Sequence, residues 1–254
     1  MFDGLVLDEL FPIVLVFTRV GAAMMLLPGF GEVYVTPRAR LLIALTISLI
    51  ITPLVAPTLP PLPGNAWALG LLVLAEVVIG LFFGTIARLF ISAMQIAGMV
   101  IAYQSAMANA LTNDPTAAQQ AATTGAFMAT TAVVLLFVTD LHHMLIEVVV
   151  ASYDVFQPGA MPPFGDMSEL VSRVVAKSFL IGVQIAAPFV VIGFLFFLGL
   201  GLLARLMPQV QVFFIAMPAQ VGLGLIVLAL TMSAGLLWFL KNFQDAFLGF
   251  GLIR

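Results

Sequence analysis

Long apolar blocks separated by short proline-rich connections run through the sequence from one end to the other. Of the 254 residues, 63% are hydrophobic and 8% are charged, whereas soluble domains carry roughly 25% charged residues. Nine basic and twelve acidic side chains are too few to cover a water-facing surface, but a surface that faces lipid needs no polar cover. Because a helix satisfies its own backbone hydrogen bonds in lipid, the sequence predicts an all-α, polytopic helical membrane protein.

Seven blocks have about the length of a spanning helix, which needs roughly 20 residues. They are Leu10–Leu27, Leu41–Ala56, Ala66–Ala87, Leu89–Met107, Gly125–Phe156, Phe179–Leu203 and Val210–Leu240. The second block is short and the fifth is long. Arg88 is expected to mark a tight turn between the third and fourth blocks, and Pro57–Asn65 is too rich in proline for a helix. We therefore expect about 6–7 hydrophobic helical segments that cross the membrane in a zigzag.

Composition and motifs exclude several classes of function. The net charge of −3 leaves no basic patch with which to bind nucleic acid. The sequence contains no cysteine, which excludes disulfides, thiolate metal sites and cysteine nucleophiles. Glycine-rich nucleotide-binding motifs and the G-x-S-x-G motif of serine hydrolases do not occur in it. We therefore predict a protein that is not an enzyme and that uses no cofactor.

Ionisable residues interrupt three of the apolar blocks. Arg19 lies in the first block, Glu76 in the third and Asp140 in the fifth. A charge at the centre of a lipid-facing helix costs about 2.5–3.5 kcal/mol on insertion scales. We therefore expect these side chains to face other protein, water or the membrane interface. Glu76 can either couple protons or pair with a helix end or with a neighbouring arginine.

The fifth block contains the one constellation in the sequence with the side chains to bind a metal or relay protons: Asp140, His142, His143 and Glu147. His143 and Glu147 are four residues apart, so they would share one face of a helix. Two adjacent histidines without H-E-x-x-H spacing are a weak metal signal. The interpretation that we favour places these groups at a helix bend or at the level of the lipid headgroups. A metal or proton site is the alternative.

Three stretches, in order along nearly the whole chain, resemble those of a known family. The first is Arg19–Pro53, with its arginine and its prolines. The second runs from Glu76 through Gly80, Gly84, Gln95, Gly98 and Gln104 to Asp114-Pro115, and the third, Leu202–Gly224, contains a Met-Pro-Gln turn and a later proline. Together they resemble the flagellar biosynthetic protein FliR family, whose members are the single-copy component of the type III export gate.

The resemblance implies a pore built with several copies of two small membrane proteins, FliP and FliQ, alongside other membrane proteins of the export apparatus. Such a pore lies in the bacterial inner membrane at the flagellar basal body and passes unfolded flagellar subunits. Residues 1–165 would then form a FliP-like front portion and residues 166–254 a FliQ-like C-terminal helical hairpin, with steeply inclined or broken helices. Polar positions inside or directly beside the apolar blocks would contact other subunits; they are Arg19, Glu76, Gln95, Gln104, Asp140 and Arg205.

The resemblance also implies a plug loop that projects into the pore and closes it before export. By position it corresponds to Met107–Gln119, with the plug residues Met107, Ala108, Asn109, Ala110, Leu111, Thr112, Asn113, Asp114, Pro115 and Gln119. A polar, irregular segment is tolerated at membrane depth where it lines a cavity rather than lipid. Pro115 disfavours helical angles in the residue before it. A plain loop outside the membrane is the alternative interpretation of this segment.

Two other functions remain open at the level of the sequence. One is the homologous export gate subunit of a virulence injectisome. The other, from a different class, is a proton-coupled transporter of small solutes that would use Glu76, Asp114 and Asp140, because ionisable groups within membrane helices are commonly functional.

Overall fold

The fold is helical throughout the part of the chain that a computed structural model describes, residues 2–107, 118–207 and 212–249. The helices are α1 (Phe2–Leu26), α2 (Pro37–Val55), α3 (Ala66–Gln104), α4 (Ala118–Val138), α5 (Leu141–Val155), α6 (Phe164–Leu206) and α7 (Val212–Gly249), with a short 3-10 turn at Ala56–Thr58. No strand occurs in these ranges. The predicted all-α class and the number of helical segments are confirmed.

The proline-rich connections end helices where the sequence predicts. Pro37 occupies the first turn of α2, where its missing N–H is not needed, and Thr36 Oγ1 accepts a hydrogen bond from the Ala39 N–H. Before α3, Asn65 Oδ1 accepts from the Trp67 N–H at 2.9 Å. Both side chains satisfy backbone donors that the first turn of a helix leaves free. The segment between these helices beyond Thr58 is irregular, as expected.

Two features of the predicted zigzag are wrong. The turn expected at Arg88 does not exist, because α3 runs through it as one helix of 39 residues. Arginine is a good helix former, and neither glycine nor proline stands beside it. Conversely, the fifth apolar block is two helices, α4 and α5, which meet at a bend of 79°. Asp140, in left-handed backbone conformation at φ 58°, lies between them.

Among the described residues, four helices are long and apolar enough to cross a membrane, by length and composition. They are α2 with the turn after it, α3, α6 and the part of α7 from Ala216 onward; the bent pair makes a fifth if it counts as one span. This is fewer than the zigzag of six or seven spans. At 1.5 Å per residue, α3, α6 and α7 are each roughly 55–65 Å long, about twice the hydrocarbon thickness of a bilayer.

Two compact units make up the chain. Unit 1 comprises Met1–Leu89, Leu135–Val174 and Gln244–Arg254, and unit 2 comprises Phe90–Val134 and Val175–Phe243. In unit 1, apolar side chains of α1, α2 and α5 meet, among them Met24, Ile51 and Val149. A cluster of edge-on rings at Phe82, Phe83 and Phe156 has centroid distances of 5.2 to 6.1 Å.

Unit 2 has its own core, in which glycines allow close helix contact. A Cβ atom on Gly98 would lie 2.6 Å from the Gly125 Cα, so the backbones of α3 and α4 touch there. Gly182 of α6 similarly faces the carbonyl oxygen of Ala93. Only 28% of the most apolar window of α6 and 22% of that of α7 is buried within the chain. Most of their apolar surface is therefore left for lipid or for other subunits.

Candidate functional site

A buried ion pair joins α1 to α3 at the centre of unit 1. Arg19 Nε donates to Glu76 Oε2 at 2.6 Å, and Nη2 donates to Glu76 Oε1 at 3.0 Å. Both side chains have an exposed fraction of 0%. This parallel, two-bond arrangement is the strong form of an arginine–carboxylate contact. The positive and negative charges that the sequence places inside apolar blocks therefore neutralise each other within this chain.

The other donors of Arg19 are bound by α5 and the residue after it. Nη1 donates to Ser152 Oγ at 3.1 Å, and Nη2 also donates to the carbonyl oxygen of Phe156 at 2.9 Å. Ser152 Oγ in turn donates to the Val149 carbonyl at 2.6 Å. The guanidinium carbon lies 3.9 Å from the centroid of the Tyr153 ring, a distance suited to a cation–π contact. One arginine thus connects three helices.

Glycines one and two helical turns after Glu76 bring α3 against α1. Gly80 and Gly84 lie four and eight residues beyond Glu76 and so share its helix face. A methyl group on Gly80 would overlap the carbonyl oxygen of Arg19, and one on Gly84 would lie 2.7 Å from the Leu26 Cβ. These two glycines therefore allow a close contact between α1 and α3 within the chain.

A second polar contact holds the end of α3 in unit 2, directly before the predicted plug. Gln220 Nε2 of α7 donates to the carbonyl oxygen of Gln104 at 2.7 Å. Ser105 packs so closely on Gly224 that no side chain fits there, and a Cβ on Gly193 of α6 would lie 3.4 Å from the Gln104 Cδ. Because the last carbonyls of a helix lack intrahelical partners, the Gln220 amide satisfies one of them. α6 and α7 thereby fix the point where α3 ends.

The predicted plug falls largely outside the described residues. Met107 is half-buried in the turn that follows α3, and the backbone of Gln119 belongs to the first turn of α4. The other proposed plug residues, Ala108, Asn109, Ala110, Leu111, Thr112, Asn113, Asp114 and Pro115, lie in the range that the structure leaves undescribed. Their role stays a prediction.

The remaining predicted polar positions lie apart from the ion pair. Gln95 is exposed on α3, and Arg205 is exposed in the last turn of α6, where a cation interacts favourably with the helix dipole. Asp140 is exposed at the bend between α4 and α5, which agrees with the helix bend that we favoured. Their expected role in subunit contact stays a prediction.

Sequence reasoning missed four residues of these sites: Ser152, Tyr153, Phe156 and Gln220. The signal was present only in part. Ser152 is a polar residue near the end of an apolar block, and a buried polar group requires a hydrogen-bond partner. Nothing in the sequence indicates that this partner is Arg19, 133 residues earlier.

An apolar cavity of about 460 Å³ lies in unit 1 beside the start of α3. Its lining includes Pro60, Leu71, Val78, Met161 and Phe164, and none of the lining residues is ionisable. A ligand pocket that performs chemistry contains precisely placed polar groups among its apolar ones. This cavity therefore offers apolar contact and no candidate for catalysis.

The fold and the buried ion pair define a polytopic helical membrane protein with large uncovered apolar faces. A sequence model described as "Bacterial export proteins, family 1" matches residues 10–246. The flagellar biosynthetic protein FliR of Caulobacter vibrioides is 40% identical over 219 residues, which cover 86% of this chain and 87% of that protein. Its namesake from Bacillus subtilis is 33% identical over 231 residues, covering 89% and 88%.

A relative from another system also matches. The Yop proteins translocation protein T of Yersinia pestis is 27% identical over 196 residues, which cover 74% of this chain and 72% of that protein. The chain belongs to the family of bacterial export proteins that includes the flagellar biosynthetic protein FliR. It is therefore a membrane component of the type III export apparatus, an assembly of several subunits.

Proposed function

We propose that this chain is the single-copy, pore-forming subunit of the flagellar export gate in the bacterial inner membrane. In this role it assembles with FliP-like and FliQ-like membrane proteins and passes unfolded flagellar subunits. It acts structurally and not as an enzyme. The observation that carries the proposal is the match to flagellar relatives over nearly their full length, at up to 40% identity, in a chain whose long helices are mostly uncovered.

Small residues on the uncovered helices support assembly with other subunits. Among the described residues, no atom lies within 4 Å of a Cβ placed on Gly199, Gly201 or Gly222, whereas Gly80 and Gly84 are in close contact within the chain. Glycines at helix surfaces allow backbones of neighbouring membrane helices to approach. The helices α6 and α7 thus have open positions for helices of a partner.

The plug role of Met107–Gln119 is supported by the anchors on either side of it. On one side, Gln220 and Gly224 hold the end of α3. On the other, the contact between Gly98 and Gly125 holds α4 against α3. The helices on both sides of the segment are thus held in place, and the segment itself contains one ionisable residue, Asp114, as the proposed closure requires.

The division into a front portion and a hairpin is part of the same proposal. Residues 1–165 would be FliP-like, and residues 166–254, which contain most of α6 and all of α7 as the structure describes them, would be FliQ-like. A hydrogen bond from Trp238 Nε1 of α7 to Gln184 Oε1 of α6 at 3.2 Å supports a pairing of these two helices. The start of α6 at Phe164 lies one residue before the proposed boundary at Gly165.

The flagellar system is favoured over an injectisome by two flagellar relatives that are 40% and 33% identical, against 27% for the translocation protein T of Yersinia pestis. A proton-coupled transporter is disfavoured by Glu76, whose carboxylate has no exposed surface and accepts hydrogen bonds from Arg19 at both oxygens. An acid that couples protons to transport must exchange them with water.

The test is a deletion strain complemented with variants. Deletion of the whole chain is expected to abolish swimming and secretion of flagellar subunits while leaving effector secretion by an injectisome intact. Loss of effector secretion with normal swimming would contradict the flagellar assignment. Removal of residues 108–117 is expected to raise the ion permeability of the membrane while export continues. The control is the same variant in a strain without the FliP-like subunit, where no pore forms and the leak must vanish.

A further inference from the structure

Three ionisable side chains meet at the bend between α4 and α5, in unit 1 and apart from the ion pair of Arg19. Asp140, His142 and His143 each offer one ligand atom, and these atoms all lie within 4.8 Å of one another. Glu147, which shares a helix face with His143, does not belong to this group in the described structure. We propose that Asp140, His142 and His143 bind a divalent transition-metal ion of the zinc type.

The spacing is close to that of a coordination site. Ligand atoms at about 2.0–2.2 Å from a tetrahedral zinc ion lie roughly 3.2–3.6 Å apart. Asp140 Oδ1 and His143 Nδ1 are already 3.6 Å apart. Both side chains are largely exposed, at 79% and 65%, so rotation about their side-chain bonds can close the remaining distance to His142.

The backbone holds Asp140 away from its usual role at a helix start. An aspartate before the first turn normally accepts a hydrogen bond from that turn. Asp140 stands at this position of α5, yet it is in the left-handed conformation at φ 58°, ψ 11° and makes no side-chain cap hydrogen bond in the described structure. Its carboxylate is instead directed to His143. An oxygen ligand is therefore available beside two nitrogen ligands.

His142 packs on Phe137 of α4, which in turn contacts the turn between α1 and α2. Its ring stacks on Phe137 with a centroid distance of 4.6 Å and an interplanar angle of 15°. Phe137 contacts Phe30 at 5.5 Å and fills the space where a side chain on Gly29 would stand. A positioned imidazole loses less conformational freedom when it binds an ion.

One of the two ring nitrogens of His142 is buried. The Nδ1 atom of His142 is buried and has no hydrogen-bond partner among the described residues. Buried polar atoms nearly always have a partner, so an exception requires a cause such as an ion or a bound water. When a histidine binds a metal through one ring nitrogen, the hydrogen-bond partner of its other ring nitrogen fixes which of the two carries the proton.

The donor set indicates the class of ion. Two imidazoles and one carboxylate are typical zinc ligands, whereas calcium and magnesium prefer oxygen ligands alone. Three ligands from this chain leave one position for water or for a group from another subunit. A bound ion would connect Asp140 at the bend with the first turn of α5 and would thus stiffen the bend of 79°.

The test measures metal binding by the full-length chain in mild detergent, together with the subunits that copurify and with a purification tag free of histidine. Titration with Co²⁺ and with Zn²⁺ is followed by visible absorption and by calorimetry. We expect saturation at one ion per chain and the absorption of four-coordinate Co²⁺, which Zn²⁺ abolishes by competition. This chain contains two histidines in all and no cysteine, so its histidine-dependent binding can arise at this place alone.

Variants assign the binding to its residues. His143→Ala and Asp140→Asn change exposed side chains, and each is expected to weaken the affinity at least about tenfold, as is His142→Ala. Glu147→Gln, on the same helix but outside the group, is the matched control and should bind as the unaltered chain does. Circular dichroism and elution volume check that each variant folds. The proposal is overturned if no saturable binding occurs, or if His143→Ala and Asp140→Asn bind with unchanged affinity.

Discussion

The buried pair of Arg19 and Glu76 supports a quantitative prediction, because the two side chains differ in how many other partners they have. Removal of one therefore does not cost the same stability as removal of the other. Removing one partner of a buried ion pair costs about 3–5 kcal/mol. Without Arg19, Glu76 loses the donors that both of its oxygens have in the described structure. Without Glu76, the guanidinium keeps Ser152, the Phe156 carbonyl and the Tyr153 ring. We therefore expect Arg19→Met to lower the free energy of unfolding by about 5 kcal/mol and Glu76→Gln by about 3 kcal/mol.

The double variant separates the charge effect from the packing effect. Arg19→Met with Glu76→Gln removes both charges, so no uncompensated charge remains buried, and it should cost less than Arg19→Met alone. The assay is denaturant unfolding in mild detergent, followed by the circular dichroism of the helices. Glu147→Gln, an exposed acid of the same unit, is the control and should stay within about 0.5 kcal/mol of the unaltered chain.

Two results would refute this reasoning. If both single variants cost less than about 1 kcal/mol and the double variant equals their sum, the two side chains are not paired in a dry interior. If Glu76→Gln costs more than Arg19→Met, the remaining partners of Arg19 do not compensate its charge.

Two further predictions use matched residues of the same type. Gly80→Ala places a methyl group against the Arg19 carbonyl oxygen and should lower the free energy of unfolding by about 1–3 kcal/mol. Gly70→Ala, where no atom lies within 4 Å of the new methyl group among the described residues, should be neutral or stabilise α3 by up to about 1 kcal/mol. Equal effects of the two variants in thermal unfolding would contradict the close contact at Gly80. Gln220→Ala removes the donor to the Gln104 carbonyl and should cost about 1–2 kcal/mol and raise ion leak through the assembled gate. Gln184→Ala, which loses only an exposed bond to Trp238, should leave both measurements unchanged.

The helical class was predictable because hydrophobic content decides it, but the borders of the long helices were not. A charged residue in an apolar segment is compatible with two structures: a turn at the membrane surface, or a buried side chain that is paired with another group. Arg88 was interpreted in the first way, although α3 continues through it. The bend at Asp140 was anticipated as one reading of its polar neighbours. Its 79° angle was not predictable. Phe137, just before the bend, packs against Phe30, a contact between residues that are distant in sequence.

The sequence predicts that some residues of the buried polar contacts need a charged or hydrogen-bonding partner, but it does not predict which residue that partner is. The cost of charge in an apolar block singled out Arg19 and Glu76 without showing that they pair, since 57 residues separate them. Gln220 carried no signal at all, because a glutamine in an apolar helix becomes informative only when its acceptor, the end of α3, is known. Tertiary contact supplies what local pattern cannot.

The measurement that tests the central claim most directly is native mass spectrometry of the assembly. The tagged chain is co-expressed with the genes beside its own and purified in mild detergent. The proposed role in the export gate predicts a large complex with one copy of this chain and several copies of two small membrane proteins. A well-folded monomer or a symmetric homodimer of this chain, free of other subunits, would contradict it.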